Sequence, residues 1–360
     1  MRVFNFTPGP AMLPLPVLER IREELLDYHG IGASIIEIGH RSKEFLEVLD
    51  QTDQLFRELS QLPKNYQILY VHGGARMQFS AIPMNLLALK PEKKAFYVES
   101  GYFAKLARDE AARYGNISGI SSADTNYDRI PTFLPNQISS DLSYVHITTN
   151  NTIYGTSWQS FPDTGNIPLV GDFTSEILAR VVDYSRFGAF YASFQKNLGP
   201  SGMALVCIRE DLLGKAIPET PSMLNYAVYA KDHSLTNTTN TFAIYVMKLY
   251  LEWMKEQGGV PALEVVNRKK AKLIYDLLDH SKLYKSTTLP AHRSIMNVTF
   301  TLPNDVLTAK FLKESLQEGL YELKGHRNVG GIRASIYNGM PLAGVEKLVA
   351  FMKNFEQKNL

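Results

Sequence analysis

The chain has 360 residues, of which 45% are hydrophobic and 21% charged, so neither a disordered nor a fibrous protein is expected. This length predicts two domains, or one large α/β domain with a smaller partner. Lysine and arginine number 38 against 36 aspartate and glutamate, a net charge of +2. The near-balance gives no electrostatic reason to expect a nucleic-acid or membrane-surface partner.

Cysteine content and hydropathy narrow the class of protein further. A single cysteine, Cys207, excludes an internal disulfide and a cysteine-based metal site, and its apolar surroundings predict a buried small hydrophobe. No apolar stretch approaches the roughly 18 residues that cross a bilayer. The first 16 residues lack the pattern of a signal peptide. Together these features predict a cytoplasmic protein.

Short apolar, β-rich runs alternate with helical patterns over the first two thirds of the chain. Strands are predicted at 68–72, 95–98, 143–148, 168–172 and 202–209, and helices at 77–89 and 103–114. Strand alternating with helix predicts an α/β fold with a mostly parallel central sheet flanked by helices.

The pattern changes after about residue 240. Helices are predicted at 242–257, 261–278, 307–318 and 345–355, and strands at 295–301 and 332–337. This tail predicts a smaller α+β domain. The predicted division is a large cofactor-binding domain over 15–250 and a small C-terminal domain over 251–360, with segment 1–14 packing near the functional site.

A glycine pair is the first candidate for ligand binding. His72-Gly73-Gly74-Ala75-Arg76 follows a predicted strand and opens a predicted helix. Backbone N–H groups at such a helix N-terminus can approach a phosphate. The motif is neither a Walker A loop nor GxGxxG, and a tight strand-to-helix turn explains it equally well.

Lys196 and Asp172 form the second candidate. Lys196 lies in a polar loop with glycine and proline, and a lysine whose pKa is lowered can attack a carbonyl, although most loop lysines are solvated. Asp172 ends a predicted strand, where parallel sheets bind ligands. The pair suits pyridoxal phosphate (PLP): lysine forms a Schiff base and aspartate keeps the pyridine nitrogen protonated. Asp172 could equally cap the segment that follows it.

Cationic pairs form the third candidate. His40-Arg41 and His326-Arg327, with Arg333, are suited to binding a phosphate or a carboxylate, although a lone pair of this kind is usually surface charge. The other histidines have no metal-ligand spacing, so no metal site is predicted.

Five motifs in this order resemble the phosphoserine aminotransferase family, which belongs to the class V aminotransferases of PLP fold type I. They are FNFTPGPAMLP at 4–14, GHR at 39–41, HGGAR at 72–76, FQKN at 194–197, and KGHR at 324–327 followed by RASIYN at 333–338. The likeness runs over about residues 4–355 without a large insertion. It implies pyridoxal 5'-phosphate as the cofactor and a homodimer with shared active sites.

The resemblance implies roles for the residues around the cofactor ring. Lys196 carries the Schiff base and moves the proton between substrate and cofactor, and Asp172 pairs with the pyridinium. Phe103 takes the position where the family commonly has a stacked tryptophan, so it offers less area and no N–H donor. Thr152 would hydrogen-bond the ring hydroxyl, although 148–152 departs from the family's usual sequence.

The resemblance also implies how the cofactor phosphate is bound. Ala75 and Arg76 would offer backbone N–H groups, aided by Gln195. Asn237 and Thr238 would reach the phosphate from the neighbouring subunit, which is why the active unit is expected to be a homodimer.

For substrates, the resemblance implies transfer of an amino group from L-glutamate to 3-phosphohydroxypyruvate, giving O-phospho-L-serine and 2-oxoglutarate in serine biosynthesis. Arg333 would hold the α-carboxylate. His40 and Arg41, with His326 and Arg327 from the other subunit, would grip the distal anion. The same clamp would accept the phosphorylated 4-hydroxythreonine precursor of vitamin B6 synthesis, and it would reject alanine, which leaves the cations unpaired.

Two other hypotheses remain open at the level of the sequence. One keeps PLP but changes the reaction to alanine–glyoxylate transamination or cysteine desulfuration, although Cys207 in a predicted strand is poorly placed as a mobile nucleophile. The other is an α/β protein that binds phosphorylated metabolites without PLP, with Gly73-Gly74 as its anion site.

Overall fold

The computed structural model describes residues 2–132 and 137–360. Residue 1 of the predicted segment 1–14 and residues 133–136 of the predicted large domain lie outside the described residues. The helices are α1 (Leu15–Glu24), α2 (Lys43–Ser60), α3 (Gly74–Leu86), α4 (Tyr102–Ala111), α5 (Tyr226–Lys231), α6 (Thr241–Glu256), α7 (Gly259–His280), α8 (Asp305–Gln317) and α9 (Leu342–Asn359). The strands are β1 (Phe4–Asn5), β2 (Tyr66–His72), β3 (Lys94–Glu99), β4 (Asn116–Ser121), β5 (Leu142–Thr148), β6 (Asn150–Asn151), β7 (Thr156–Ser157), β8 (Leu169–Asp172), β9 (Ala189–Ser193), β10 (Met203–Arg209), β11 (Lys285–Ser286), β12 (Asn297–Thr301), β13 (Leu320–Tyr321) and β14 (Ile332–Ser335).

A seven-stranded sheet in the order β2-β10-β9-β8-β5-β3-β4 organises the first two thirds of the chain. Strand β10 runs antiparallel to both of its neighbours, and all other pairs are parallel. Strands β3, β5, β8, β9 and β10 are buried almost throughout, as expected where helices cover both faces. The mostly parallel α/β sheet predicted from the sequence is confirmed.

The predicted elements are present with shifted ends. The helix predicted at 77–89 begins earlier, at Gly74, because left-handed Gly73 (φ 86°) turns the chain directly out of β2. It ends in a 3₁₀ turn over Leu87–Leu89. The elements that lie outside the predicted ones are helices α1, α2 and α5, strands β4 and β9, and the two-residue strands β1, β6, β7, β11 and β13. None of the helices in the described ranges is long and apolar enough to cross a membrane. Cys207 is fully buried in β10, as predicted.

Hydrophobic side chains pack on both faces of the large sheet and around a separate small sheet. One cluster joins the sheet to α2 and α6, another joins its opposite face to α3 and α4, and a third surrounds β12 and β14. Helix α7 links two of them, since Leu263 packs with the large sheet and Ile274 with the small one. The domain boundary near residue 250 stays a prediction, with α6 and the start of α7 packed on the large sheet.

The small sheet has the order β11-β12-β14 and is antiparallel. Its register places Thr299 opposite Arg333 and Asn297 opposite Ser335. Strand β1 pairs in parallel with β13, and Phe6, in the next residues of the chain, packs into the small-sheet cluster. The N-terminal segment is therefore fixed to the last third of the chain.

Candidate active site

A cavity of about 420 Å³ lies at the carboxyl ends of β5, β8 and β9, between the large sheet and the small sheet. This is the sheet edge where parallel α/β folds bind ligands. The predicted site residues that line it are Ala75, Arg76, Phe103, Thr152, Asp172, Gln195, Lys196, His326 and Arg333. Pro8, Gly9 and Pro10 of the N-terminal segment also line it, so this segment lies at the site.

Lys196 lies in the connection between β9 and β10, which the Phe194 N–H closes by donating to the Met203 carbonyl. Its side chain is 7% exposed, and its Nζ donates to Thr152 Oγ1 at 2.6 Å. Burial lowers the pKa of Lys196 to about 7, and the Arg333 charge acts in the same direction while Asp172 opposes it. Half of such amines are neutral, and hence nucleophilic, near neutral pH.

Asp172 is the last residue of β8 and is 4% exposed. Its Oδ1 accepts the backbone N–H of Thr174 at 2.9 Å, so it caps the turn that follows β8 as well as facing the cavity. Burial raises the pKa of Asp172, whereas its hydrogen bonds from Thr174 and the Lys196 charge oppose that rise. A cation placed beside this carboxylate would favour its ionised form.

The glycine turn brings helix α3 close to β9. Gly73 and Gly74 both have positive φ, and a Cβ on Gly74 would stand 2.8 Å from Ser193 Oγ. Helix α3 begins at Gly74, so the backbone N–H groups of Ala75 and Arg76 lack partners within the helix. Since these two residues line the cavity, the turn forms a cradle for an anion such as a phosphate.

Arg333 supplies an unpaired cation to the other side of the cavity. It lies in β14 and is 6% exposed, and no carboxylate pairs with it among the described residues. Its Nε is buried without a hydrogen-bond partner there, and burial lowers the pKa of its guanidinium. A buried unpaired guanidinium is costly, so the site favours an anionic ligand.

His326 lies in the cavity of its own chain, which differs from the expectation that it arrives from the other subunit. The Gly325 N–H donates to the Gly331 carbonyl at 2.9 Å, and this bond folds the loop back beside Arg333. Burial lowers the pKa of His326, and Arg333 and Arg327 act in the same direction. Arg327 is exposed and does not line the cavity.

Besides Arg327, four predicted residues do not line this cavity: His40, Arg41, Asn237 and Thr238. Arg41 is bound to the loop 232–240 that carries Asn237 and Thr238, since its guanidinium donates to the Leu235 carbonyl at 3.1 Å. The Asn237 amide donates to His72 Nε2 at 3.3 Å, directly before the glycine turn. The roles predicted for these four residues therefore require a second copy of the chain and stay predictions.

Several lining residues were missed in the sequence, among them Asn150, Ser175, Ser193 and Ser201. Asn150 was detectable in principle, because it follows the strand predicted at 143–148 at the same sheet edge as Asp172. The serines carry no pattern that separates them from ordinary loop residues. Among the described residues, no group of three His, Cys, Asp or Glu side chains could hold a metal ion.

The residues present fit pyridoxal phosphate. A buried amine, a buried carboxylate and the N–H cradle share the cavity with the Phe103 ring, whose centroid is 5.9 Å from Lys196 Nζ. The buried Thr148 Oγ1 has no hydrogen-bond partner in the part of the chain that is described, and it also lines the cavity. These are the donors, the acceptor and the apolar face that a phosphorylated pyridine aldehyde requires.

Comparison with known proteins shows the family of the chain. The profile of the family "Aminotransferase class-V" matches residues 3–348. The chain belongs to the class-V aminotransferase family, as a PLP-dependent transaminase of fold type I.

Within that family, the chain is similar to phosphoserine aminotransferases. The one from Bacillus cereus is 48% identical over 359 residues, which cover 99% of each chain. The solved phosphoserine aminotransferase of Bacillus circulans subsp. alkalophilus is 42% identical, with a TM-score of 0.96 over 100% of this chain and 99% of that one. The PLP-bound phosphoserine aminotransferase of Trichomonas vaginalis is 36% identical, with a TM-score of 0.92 over 98% and 100%.

Proposed function

We propose that this transaminase transfers the amino group of L-glutamate to 3-phosphohydroxypyruvate, giving O-phospho-L-serine and 2-oxoglutarate in serine biosynthesis. The observation that carries the proposal is one cavity that contains a buried lysine of lowered pKa, a buried carboxylate and an arginine without a carboxylate partner among the described residues. The 48% identity to phosphoserine aminotransferases over almost the whole chain supports the choice of substrates.

The cofactor would be held from three sides. The backbone N–H groups of Ala75 and Arg76 would bind its phosphate, Phe103 would cover the ring, and Asp172 would hold the proton of the ring nitrogen. When bound, pyridoxal phosphate supplies an aldehyde that condenses with amines and a ring that withdraws electrons from the adjacent carbon.

Lys196 has two tasks that its surroundings favour. Because its pKa is about 7, its amine is available in the neutral form at neutral pH, first as a nucleophile and then as a base at the substrate's Cα. The hydrogen bond to Thr152 Oγ1 holds Nζ inside the cavity. Its side chain is almost completely buried, so few water molecules can solvate the charged form.

Two kinds of anion are expected in the substrate. Arg333 would bind the α-carboxylate that both amino acids share, and its guanidinium can form two parallel hydrogen bonds with it. The γ-carboxylate of glutamate and the phosphate of phosphoserine are alternative distal anions. His326, which lines the cavity of its own chain, would contact the distal anion, and His40, Arg41 and Arg327 would complete the clamp.

A homodimer with shared active sites would bring the missing cations to the cavity. Apolar side chains at Leu26, Ile31, Ile36 and Leu46 are exposed on both sides of His40-Arg41, as on surfaces that meet a partner. Mixing Lys196→Ala with Arg41→Ala tests this proposal, because a mixed dimer regains one intact site only if the site draws on both chains. No recovery of activity in a confirmed mixed dimer would contradict shared sites.

The reaction itself is tested by two half-reactions on the purified holoenzyme. Its absorption at about 400–430 nm, expected for a lysine-linked pyridoxal chromophore, should disappear with glutamate and return with 3-phosphohydroxypyruvate. Alanine with glyoxylate is the control pair. If that pair exchanges the chromophore as well as glutamate does, the proposed substrate class is wrong.

The distal clamp has its own test. Arg41→Ala should lower kcat/KM for 3-phosphohydroxypyruvate by about 10- to 100-fold, because a charge-assisted contact to the phosphate is lost. Arg22→Ala, at an exposed arginine of α1, is the matched control. An unchanged kcat/KM in Arg41→Ala would favour a substrate without a distal anion.

We also propose a cytoplasmic location, because glutamate and phosphorylated oxo acids are charged metabolites that are retained inside cells. The balanced charge and the single buried cysteine are compatible with that compartment. Recovery of the activity in the membrane or secreted fraction would contradict it.

A further inference from the structure

The face of the small sheet that carries Arg333 also packs on the segment that follows β5 of the large sheet. Side chains alternate along a strand, so Arg333 and Ser335 of β14 share a face with Thr299 and Asn297 opposite them on β12. This face meets residues 150–157, here called the docking loop, which include β6 and β7.

Asn297 lies at the centre of this contact and is completely buried. Its Oδ1 accepts a hydrogen bond from Asn150 Nδ2 at 2.7 Å. Its own Nδ2 donates to Ser335 Oγ at 3.0 Å and to Tyr337 Oη at 3.2 Å. One amide thus joins the wall of the cavity to the strand of Arg333, on the same face as the guanidinium.

The docking loop fits this face closely. Thr299 Oγ1 donates to the Tyr154 carbonyl at 2.9 Å, and the Ser294 N–H donates to the Gly155 carbonyl at 2.8 Å. Gly155 has φ 75°, and a Cβ there would stand 2.6 Å from Thr299 Oγ1 and 2.9 Å from the Asn297 carbonyl oxygen. Only glycine permits this approach.

The same loop touches the reactive amine. Thr152 of the docking loop accepts the hydrogen bond of Lys196 Nζ. Asn150 and Thr152 are two residues apart, so a short piece of chain connects the amine to the amide bridge. The distance between the amine and the guanidinium therefore depends on how firmly the small sheet is held to this loop.

We propose that Asn297 is a positioning residue that sets the place of the Arg333 guanidinium relative to Lys196 through its bonds to Asn150, Ser335 and Tyr337. The inference rests on the proposed function, in which Arg333 binds the α-carboxylate. Both amino acids and both oxo acids carry that carboxylate, so Asn297 acts on every substrate alike.

The test is steady-state kinetics of the holoenzyme with Asn297→Ala. KM for glutamate and KM for 3-phosphohydroxypyruvate should both rise about tenfold, the effect of losing one to two hydrogen bonds, because the carboxylate is bound similarly before and during reaction. The kcat should change less than about threefold, and cofactor absorption should be retained.

Asn85→Ala is the matched control. Asn85 is similarly buried and also uses three hydrogen bonds, donating to the Ala81 and Leu224 carbonyls and accepting the Tyr226 N–H, but it lies in α3 away from the cavity lining. It should lower the melting temperature comparably and leave both KM values unchanged. If Asn297→Ala behaves like this control, its role is structural and the proposal is overturned.

A milder variant, Ser335→Ala, tests the proposal if Asn297→Ala does not fold. Ser335→Ala removes one bond of the bridge and should raise both KM values by about threefold, because a single neutral hydrogen bond is lost. A rise for one substrate only, or no rise, would contradict the proposal. Absence of glutamate turnover in the wild-type holoenzyme would instead refute the proposed function, so the two failures are distinguishable.

Discussion

Two buried lysines in this chain have the same lowered pKa and different surroundings. Burial lowers the pKa of both Lys196 and Lys270 to about 7. Lys196 faces a cavity and gives one hydrogen bond, to Thr152 Oγ1. Lys270 of α7 is fully buried in the small-sheet region and donates to three backbone carbonyls, those of Ile336, Tyr337 and Met340, at 2.8–3.0 Å.

Desolvation alone therefore does not make a lysine reactive. Lys270 uses all three of its donors to hold the turn after β14, and it does not line the active-site cavity. Lys196 keeps spare hydrogen-bonding capacity, and open space lies in front of it. The comparison teaches that free volume and unused donors, rather than a shifted pKa, distinguish a catalytic lysine from a structural one.

The largest effect is expected for Lys196→Ala, which should remove activity without reducing stability. Transamination should fall by about 10³-fold or more, since both the nucleophile and the base are lost. The melting temperature should not fall, because a costly buried amine is removed. Borohydride treatment of the wild-type holoenzyme, followed by peptide mass spectrometry, should find the cofactor mass on the Lys196 peptide. A cofactor adduct on the Lys270 peptide instead would contradict the assignment.

The second prediction is that Lys196 and Lys270 differ in how their chemical labelling depends on pH. In the protein without cofactor, acylation of Lys196 by a small reagent should be half-maximal near pH 7, because only the neutral amine reacts and its pKa is about 7. Lys270 should stay unlabelled at all pH values at which the protein is folded. Exposed Lys64 is an internal reference for the reactivity of the reagent. Labelling of Lys196 only above about pH 10 would refute its lowered pKa.

Lys270→Met should give the opposite result from Lys196→Ala. Three buried carbonyls lose their donor, so the free energy of unfolding should fall by about 3 kcal/mol while kcat of the folded enzyme changes little. Chemical denaturation at fixed cofactor concentration measures this change. Lys272→Met, on an exposed side chain of the same helix, is the control. Equal stability of both variants would show that the three bonds contribute nothing.

The smallest expected effect concerns His233, whose pKa is raised, whereas the pKa values of the two lysines are lowered. A hydrogen bond to Asp53 raises the pKa of His233, which is about half exposed. The stabilisation it gives is present below the unfolded value of about 6.5 and is lost as pH rises through the higher folded value. His233→Gln should therefore lower stability at pH 5.5 by about 0.5 kcal/mol, discounted for solvent screening, and not at pH 9. An equal loss at both pH values would exclude the Asp53 contact as its cause.

Much of the site was predictable because its key residues follow buried strands. Asp172 ends β8, the glycine pair follows β2, and Lys196 follows β9, so the topology of a parallel sheet brings them to one edge. The cationic motifs indicated Arg333 and His326 as anion-binding residues, and the family likeness added a role for each. The likeness led us to expect His326 from the other subunit, whereas the loop after Lys324 folds back and brings this residue to the cavity of its own chain.

The small-sheet contacts were not predictable in the same way. Lys270 and Asn267 lie on the apolar face of α7 with Leu263 and Ile274, and this spacing was a signal that both are buried. Asn297 gives no such signal, since the role proposed for it depends on hydrogen bonds to Asn150 and Ser335, which are distant in the chain. Bonds between distant residues depend on register, which the sequence pattern alone does not define.

The pairing of β1 with β13 has a consequence for how the enzyme is made. Residues 4–5 meet residues 320–321, and Pro8, Gly9 and Pro10 between β1 and α1 line the cavity. During synthesis the first residues to leave the ribosome must therefore wait for a strand that is translated near the end. Cofactor capture is expected to be a late, post-translational event, and nascent chains halted before residue 320 should not retain pyridoxal phosphate.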